Sequence, residues 1–350
     1  MRPAGSLLRV RALFGLLGVA ESGLVPFLPL LLRHRGLDPQ SLGMVLALMS
    51  GVAFGAGPLW GLLADRVLGY ERTLRLSLVA TVGAALVFAI THSIAAVAVA
   101  GSLLWGVRAP IMAMADSMAL VRLGSERRDA YGGVRLWMSA GFAAGAIGFG
   151  TLVQSAGLGL VAPLYASLCA VNASAFALAL RGRRLLPPAA AAPAPGPAAA
   201  LATLPQLSRF LLALLLANAA YNATYNFVAV RIAALGGGAV FVGLAAGLQA
   251  AAEVPSMAWT RRLARRVPPA SVFSLGAVVY VVVYAVWALL ADPAALAALR
   301  LVSGVGFGLV YVGSVLTVDD LVPAHLRATG QAAAKAVAFG LAPILGSLGG

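Results

Sequence analysis

Apolar and polar positions in this chain alternate on the scale of a membrane. Long oily stretches recur, separated by short loops in which arginine concentrates. Windowed hydropathy predicts eleven helices at roughly 10–32, 41–63, 74–91, 94–121, 133–155, 159–180, 207–233, 239–260, 271–291, 294–318 and 327–349. A helical span needs ~20 mostly apolar residues, and these windows meet that length. The first window is long for a signal-peptide core and lacks a small-residue cleavage site, so it reads as a retained span. Between the sixth and seventh windows lies Arg181 to Pro205, with the run Leu-Leu-Pro-Pro-Ala-Ala-Ala-Ala-Pro-Ala-Pro-Gly-Pro. Proline at that density cannot continue a helix. The pattern predicts a bundle over 1–181, a linker over 182–205 and a second bundle over 206–350.

Composition supports the same solvent. Apolar residues make up 61% and charged residues 10%, against about 25% charged in soluble domains. Mean hydropathy is +0.94. The net charge of +14 would point to nucleic acid in a soluble chain; here the arginines mark one side of a bilayer. If the N-terminus is cytoplasmic, only Arg33, Arg35 and Arg231 of the 25 basic residues fall outside, and Arg108, Arg300 and Lys335 fall within spans. The others lie on the cytoplasmic side, as the positive-inside rule expects. The single cysteine, Cys169, sits in an apolar run and reads as packing.

The halves read as copies. Pro58-Leu-Trp-Gly-Leu-Leu-Ala-Asp-Arg aligns with Pro255-Ser-Met-Ala-Trp-Thr-Arg-Arg-Leu at an offset of 197, and Tyr131-Gly132 with Thr329-Gly330 at 198. Parallel repeats across a linker are a transporter signature.

Between the second and third windows runs Gly61-Leu-Leu-Ala-Asp65-Arg66-Val-Leu-Gly69-Tyr-Glu71-Arg72. It resembles the major facilitator superfamily loop, roughly G-x-x-x-D-R-x-G-R-R. Three further segments extend the likeness: Val25-Pro26-Phe-Leu-Pro29; Tyr131-Gly132-Gly-Val-Arg135-Leu-Trp137-Met-Ser139-Ala-Gly141-Phe142; and Ala252-Glu253-Val254-Pro255. They are similar to the branch holding lactose permease, phenylpropionate permeases and nucleoside–proton symporters. The resemblance implies an all-α polytopic protein of major facilitator fold, with two pseudo-symmetric helical bundles and twelve spans. Eleven are seen, and the second bundle is expected to lack the twelfth. It also implies that Asp65, Arg66 and Arg72 belong to an inner gate. Departures are plain. Gly69 stands four residues after Asp65 where the pattern has three, and Tyr70-Glu71 replaces a basic pair. At the span-ten positions where lactose permease carries a histidine and a glutamate stand Ser303 and Gly306. Lys335 falls about one turn before that permease's span-eleven lysine.

Ionisable groups inside spans are costly, so they head the candidate site. Glu21 lies mid-span one, Arg108 beside Pro110 in span four, and Glu253 in span eight, four residues after Gln249. Glu21 and Arg108 are expected to meet. Arg108 then offers its fork to an anionic or hydrogen-bonding group, or the two form a structural pair. Glu253 is the candidate proton site, since a carboxylate in an apolar bundle takes up a proton more readily than one in water. Arg300 either faces the cavity or snorkels to the outer surface. Span seven carries Asn218, Tyr221, Asn222, Tyr225 and Asn226 on one stripe. That stripe forms either a cavity wall or interhelical hydrogen bonds. Asp116 and Arg135 match sugar-recognition positions of lactose permease approximately and serve equally as a gate pair. Glycines 51, 55, 57, 141, 145 and 148 read as close-packing positions.

No Walker loop appears, which argues against an ATP-driven pump. His34, His92 and His325 have no ligand-spaced partner, so neither metal nor cofactor is expected. The expected protein is not an enzyme. It is a secondary transporter of the cytoplasmic membrane, multi-pass and monomeric, with a small-molecule substrate, protons and the lipid bilayer as partners and no nucleic acid. Proton-coupled uptake of a carboxylate, nucleoside or sugar leads the alternatives of drug or metabolite efflux and of a non-transporting receptor or assembly factor.

Overall fold

In hydrocarbon every backbone N–H and C=O must find its partner within the protein, which leaves the helix as the default element here. The computed structural model describes residues 4–123, 131–179, 205–323 and 326–350, and all their regular elements are helical. The first unit, Met1–Ala190, holds α1 (Ala4–Leu24), α2 (Leu28–His34), α3 (Pro39–Leu63), α4 (Tyr70–Ile90), α5 (Ile94–Arg108), α6 (Ile111–Leu123), α7 (Tyr131–Ala156) and α8 (Val161–Ala179). The second, Ala191–Gly350, holds α9 (Pro205–Ala234), α10 (Ala239–Leu263), α11 (Pro269–Leu289), α12 (Pro293–Leu321), α13 (Arg327–Ala336) and α14 (Ala342–Gly349). The linker expected over 182–205 lies outside the described residues except for Pro205, which opens α9.

Among the described residues ten helical segments are long and apolar enough to cross a membrane. The seventh expected span is not among them. It is nevertheless a helix of 30 residues, about 45 Å at 1.5 Å per residue, whose polar stripe lowers its hydropathy.

The expected duplication extends to packing. In the first unit α1 lies against α7, and α3 and α4 lie against α5; in the second, α9 lies against α14, and α10 and α11 against α12. The first span ends in a Schellman turn at Gly36 (φ 92°), where Leu37 N–H bonds Leu32 O at 3.3 Å and Gly36 N–H bonds Arg33 O at 3.0 Å. Gly236 (φ 80°) ends α9 identically, with Gly237 N–H on Ile232 O at 2.9 Å and Gly236 N–H on Ala233 O at 3.0 Å. Only glycine adopts that backbone at no steric cost.

Two spans are interrupted where the sequence pattern shows a single window. Span one breaks between Leu24 and Leu28, and span four between Arg108 and Ile111. Pro110 has no N–H, which orphans the carbonyl four residues back. That carbonyl, Gly106 O, accepts from Trp60 Nε1 of α3 at 2.9 Å, and the next, Val107 O, accepts from Ser77 Oγ of α4 at 2.5 Å. A third interruption is the π turn Val337–Leu341, between α13 and α14.

The charged loop also has a local explanation. Ala64–Leu68 forms a π turn, closed by Gly69 N–H on Ala64 O at 2.8 Å. A π turn holds one more residue than an α turn, which absorbs the extra residue between Asp65 and Gly69. Gly69 then takes φ 75° and starts α4. Tyr70 packs on the core around Phe14 and Leu74, and Glu71 is only 6% exposed. The residues replacing the basic pair therefore turn inward.

The glycine expectation divides. An added Cβ at Gly141 would collide with Gly15 O and one at Gly145 with Ser22 Oγ, so these two let α1 and α7 touch. At Gly55, Gly57 and Gly148 a Cβ meets nothing within 4 Å among the described residues. Gly141→Ala is therefore expected to cost about 1–3 kcal/mol by overpacking. Gly148→Ala should leave the thermal midpoint unchanged or slightly raised. Thermal unfolding of the purified variants in detergent checks both.

Candidate functional site

In the first unit, the break after α5 leaves Arg108 as that helix's last residue, and Glu21 sits one turn before the break in span one. The two form an ion pair between Arg108 Nη2 and Glu21 Oε2, their side chains 16% and 15% exposed. The guanidinium also lies over the Trp105 ring, 4.5 Å from its centroid. Tyr165 and Cys169 of α8, both buried, lie beside the pair. Arg108 is thus charge-matched inside its own unit. Asn172 fastens the same wall, its Nδ2 donating to Leu16 O at 3.1 Å and Leu168 O at 3.0 Å.

In the second unit, Gln249 Nε2 donates to Tyr221 Oη and to Glu253 Oε1, the latter at 2.9 Å. This joins α9 and α10 through one amide. Tyr221 is also the hub of an aromatic run. It stacks on Tyr225 (5.8 Å between centroids) and Tyr280 (5.5 Å), and touches Phe307 (5.4 Å). From Tyr280 the run continues to Tyr284, and from Phe307 to Tyr311 and Phe339. Beside it lies a narrow, open cleft whose lining includes Asn218, Phe307, Tyr311, Ser314, Gln331 and Lys335. Arg300 does not snorkel outward: it is 3% exposed, its guanidinium 5.5 Å from the Tyr225 centroid.

The asparagine stripe splits its duties. Asn218 and Asn222 donate back to carbonyls of their own helix, Leu214 O at 2.9 Å and Asn218 O at 2.8 Å. Asn226 reaches across to Ser347 Oγ at 2.9 Å. Asn218 alone of the three lines the cleft. At Gly306 an added Cβ would press on the Tyr280 ring, so a side chain there requires that ring to shift.

Most gate candidates lie at or near helix ends, and Asp116 lies midway along α6. Asp65 and Arg66 are exposed on the π turn and Arg72 on the first turn of α4. Arg135 Nη1 and Asp116 Oδ1 stand 3.7 Å apart, and at the matching junction of the second unit Arg327 Nε and Asp319 Oδ1 stand 3.2 Å apart. Exposed pairs of this kind contribute about 0–1 kcal/mol, so they hold the helix ends lightly. Arg127, Arg128 and His325 lie outside the described residues.

The sequence reading passed over Tyr280, Tyr284, Phe307, Tyr311 and Phe339. A signal existed: Tyr221/Tyr225, Tyr280/Tyr284 and Phe307/Tyr311 are aromatic pairs four residues apart on three helices.

The sequence model of the MFS_1 like family matches residues 12–350. The chain belongs to that family. It is 29% identical over 329 residues to the maltose permease of Geobacillus stearothermophilus, covering 92% of this chain and 81% of the permease. Among solved structures it is similar to a mutant of the nucleoside transporter NupG (TM-score 0.87, 16% identity, covering 98% of this chain and 90% of NupG). It is also similar to a bacterial homologue of the human lysosomal transporter Spinster (TM-score 0.70, 12% identity, covering 99% and 82%). The chain is a multi-pass membrane transporter rather than an enzyme. Within this MFS_1-like chain, the charge-matched pair lies in one unit and the cleft in the other.

Glu21→Gln leaves the Arg108 cation without its partner and is expected to cost about 3–5 kcal/mol, whereas Glu21→Gln combined with Arg108→Met recovers most of that loss. Thermal unfolding of the three proteins in one detergent measures the difference.

Proposed function

We propose that this transporter takes up a small, uncharged, hydroxylated solute bearing a ring, a saccharide or a nucleoside, together with a proton. The observation that carries the reading is the hydrogen-bonded run Glu253–Gln249–Tyr221, ending on stacked aromatic rings beside a cleft. Aromatic faces bind the apolar face of a sugar or base, and amide and hydroxyl groups bind its rim. In the first unit Arg108 is neutralised by Glu21, which favours an uncharged solute over a carboxylate there. The names of two similar proteins, a maltose permease and a nucleoside transporter, agree with that class.

Glu253 takes the proton. A carboxylate held by one amide donor can exchange that bond for its own O–H when protonated, so proton and solute binding share Gln249 and Tyr221. The two bundles then rock to expose the site to either side, with Asp65, Arg66, Arg72, Asp116 and Arg135 at the inner gate. The N-terminus lies in the cytoplasm, the membrane is the cell membrane, and the working unit is the monomer.

Proteoliposomes with an alkaline interior, offered labelled maltose and uridine, test this. Accumulation driven by the pH gradient is expected for a solute of this class; flux only outward would favour efflux, and no flux a receptor. Glu253→Gln should lose gradient-driven accumulation yet keep solute exchange, and unchanged accumulation would remove Glu253 from the mechanism. Tyr221→Phe removes one hydrogen bond, about 0.5–1.5 kcal/mol, and should raise KM by up to about tenfold.

A further inference from the structure

The end of α10 and the turn after it carry four arginines in six residues: Arg261, Arg262, Arg265 and Arg266. All four are exposed. None makes a side-chain hydrogen bond or ion pair with the described residues. Their backbone is nonetheless held in place. Ala264 N–H bonds Thr260 O at 2.9 Å, Arg266 N–H bonds Leu263 O at 2.8 Å, and Pro268 and Pro269 then open α11. The negative end of a helix dipole offsets only about half an elementary charge, so α10 leaves most of this positive charge unbalanced. At the aligned turn of the first unit Asp65 accompanies Arg66, whereas here Arg262 takes the aspartate's place.

Apolar surface frames the turn on both sides. Trp259 is exposed three residues before Arg262, on the same helix face. Tryptophan in that position anchors a span at the level of the lipid headgroups. Beyond the turn, Ser271, Leu275, Val278 and Val282 follow one face of α11, and all four are exposed. The helices α4 and α11 are both 21 residues long. With their ends aligned, Leu275, Val278 and Val286 fall on Leu76, Val79 and Val87, which are exposed as well. Both repeats leave this face bare, as a face toward lipid requires. A strongly positive turn thus adjoins a strip of apolar side chains, and one amphiphile satisfies both. We infer that the turn and the α11 face bind an anionic phospholipid, with the arginines on its phosphate and Leu275, Val278 and Val282 along its acyl chains. Arginine forks pair with phosphate oxygens two bonds at a time, and a cluster of basic residues beside a span attracts anionic headgroups. None of the residues lining the proposed solute cleft belongs to this surface.

Trp259 reports on this surface directly. The test reconstitutes the purified full chain in phosphatidylcholine vesicles that contain a small share of brominated phosphatidylglycerol or, in parallel, of brominated phosphatidylcholine. The difference in fluorescence between wild type and Trp259→Phe isolates the Trp259 signal. Brominated phosphatidylglycerol is expected to quench that signal at a mole fraction at least about fivefold below the one brominated phosphatidylcholine needs. Glutamine at all four arginines should bring the two lipids level, and Arg265→Gln with Arg266→Gln should give an intermediate preference. Sodium phosphate, exchanged for sodium chloride at constant ionic strength, should leave the wild-type preference in place. Its loss there would make the turn a site for free phosphate and overturn the lipid assignment. Equal quenching by the two lipids in the wild type also overturns it, as does an undiminished preference in the four-glutamine variant. Should that variant not fold, an undiminished preference in Arg265→Gln with Arg266→Gln, which leaves α10 untouched, decides the same way.

Discussion

The demand that every buried backbone group be satisfied within the protein governs this structure. It makes the spans helical, and it decides where they are allowed to break. Pro110 orphans Gly106 O, and the break is tolerable because Trp60 of a neighbouring helix supplies the missing donor, with Ser77 serving the next carbonyl. Two of the in-span charges stand at such breaks. Glu21 and Arg108 flank the breaks in spans one and four, whereas Glu253 and Arg300 lie within the unbroken helices α10 and α12.

The duplication supplies a common scaffold for unequal contents. The same helix pairings recur in both units, and the same Schellman turn ends the first span of each repeat. Glycine contacts serve both copies: Gly141 meets Gly15 in one, and Gly346 meets Ala219 O in the other. The first unit closes its charges into an ion pair, and the second opens a cleft beside stacked rings. On the proposed reading the first unit is a charge-balanced wall and the second carries the solute and the proton. That division fits parallel repeats, which share a backbone but diverge in the side chains turned toward the site.

Much of this was legible in particular residues. The oily windows, the one-sided arginines and the Asp65-Arg66 loop were enough to identify a two-bundle transporter, because hydropathy and charge asymmetry are additive along a chain. The meeting of Glu21 with Arg108 was anticipated because each is too costly to stand alone in lipid. The aromatic run was overlooked although its pairs four apart were visible, since periodicity does not say that three helices turn those pairs toward one another. Glycines illustrate the same limit: Gly141 and Gly148 look alike in sequence, yet only Gly141 faces a neighbouring backbone.

By itself, then, the sequence determined the solvent, the helical class, the repeat and the identity of the costly charged residues, since these follow from composition and local spacing. Tertiary structure alone decided the partners. It turned Glu71 inward, absorbed the loop's extra residue in a π turn, filled the space beside Gly306 with Tyr280, and buried Arg300 against Tyr225. The reason is physical: a side chain's cost is set by its own chemistry, but whether that cost is met depends on atoms that lie far away along the chain and close in space.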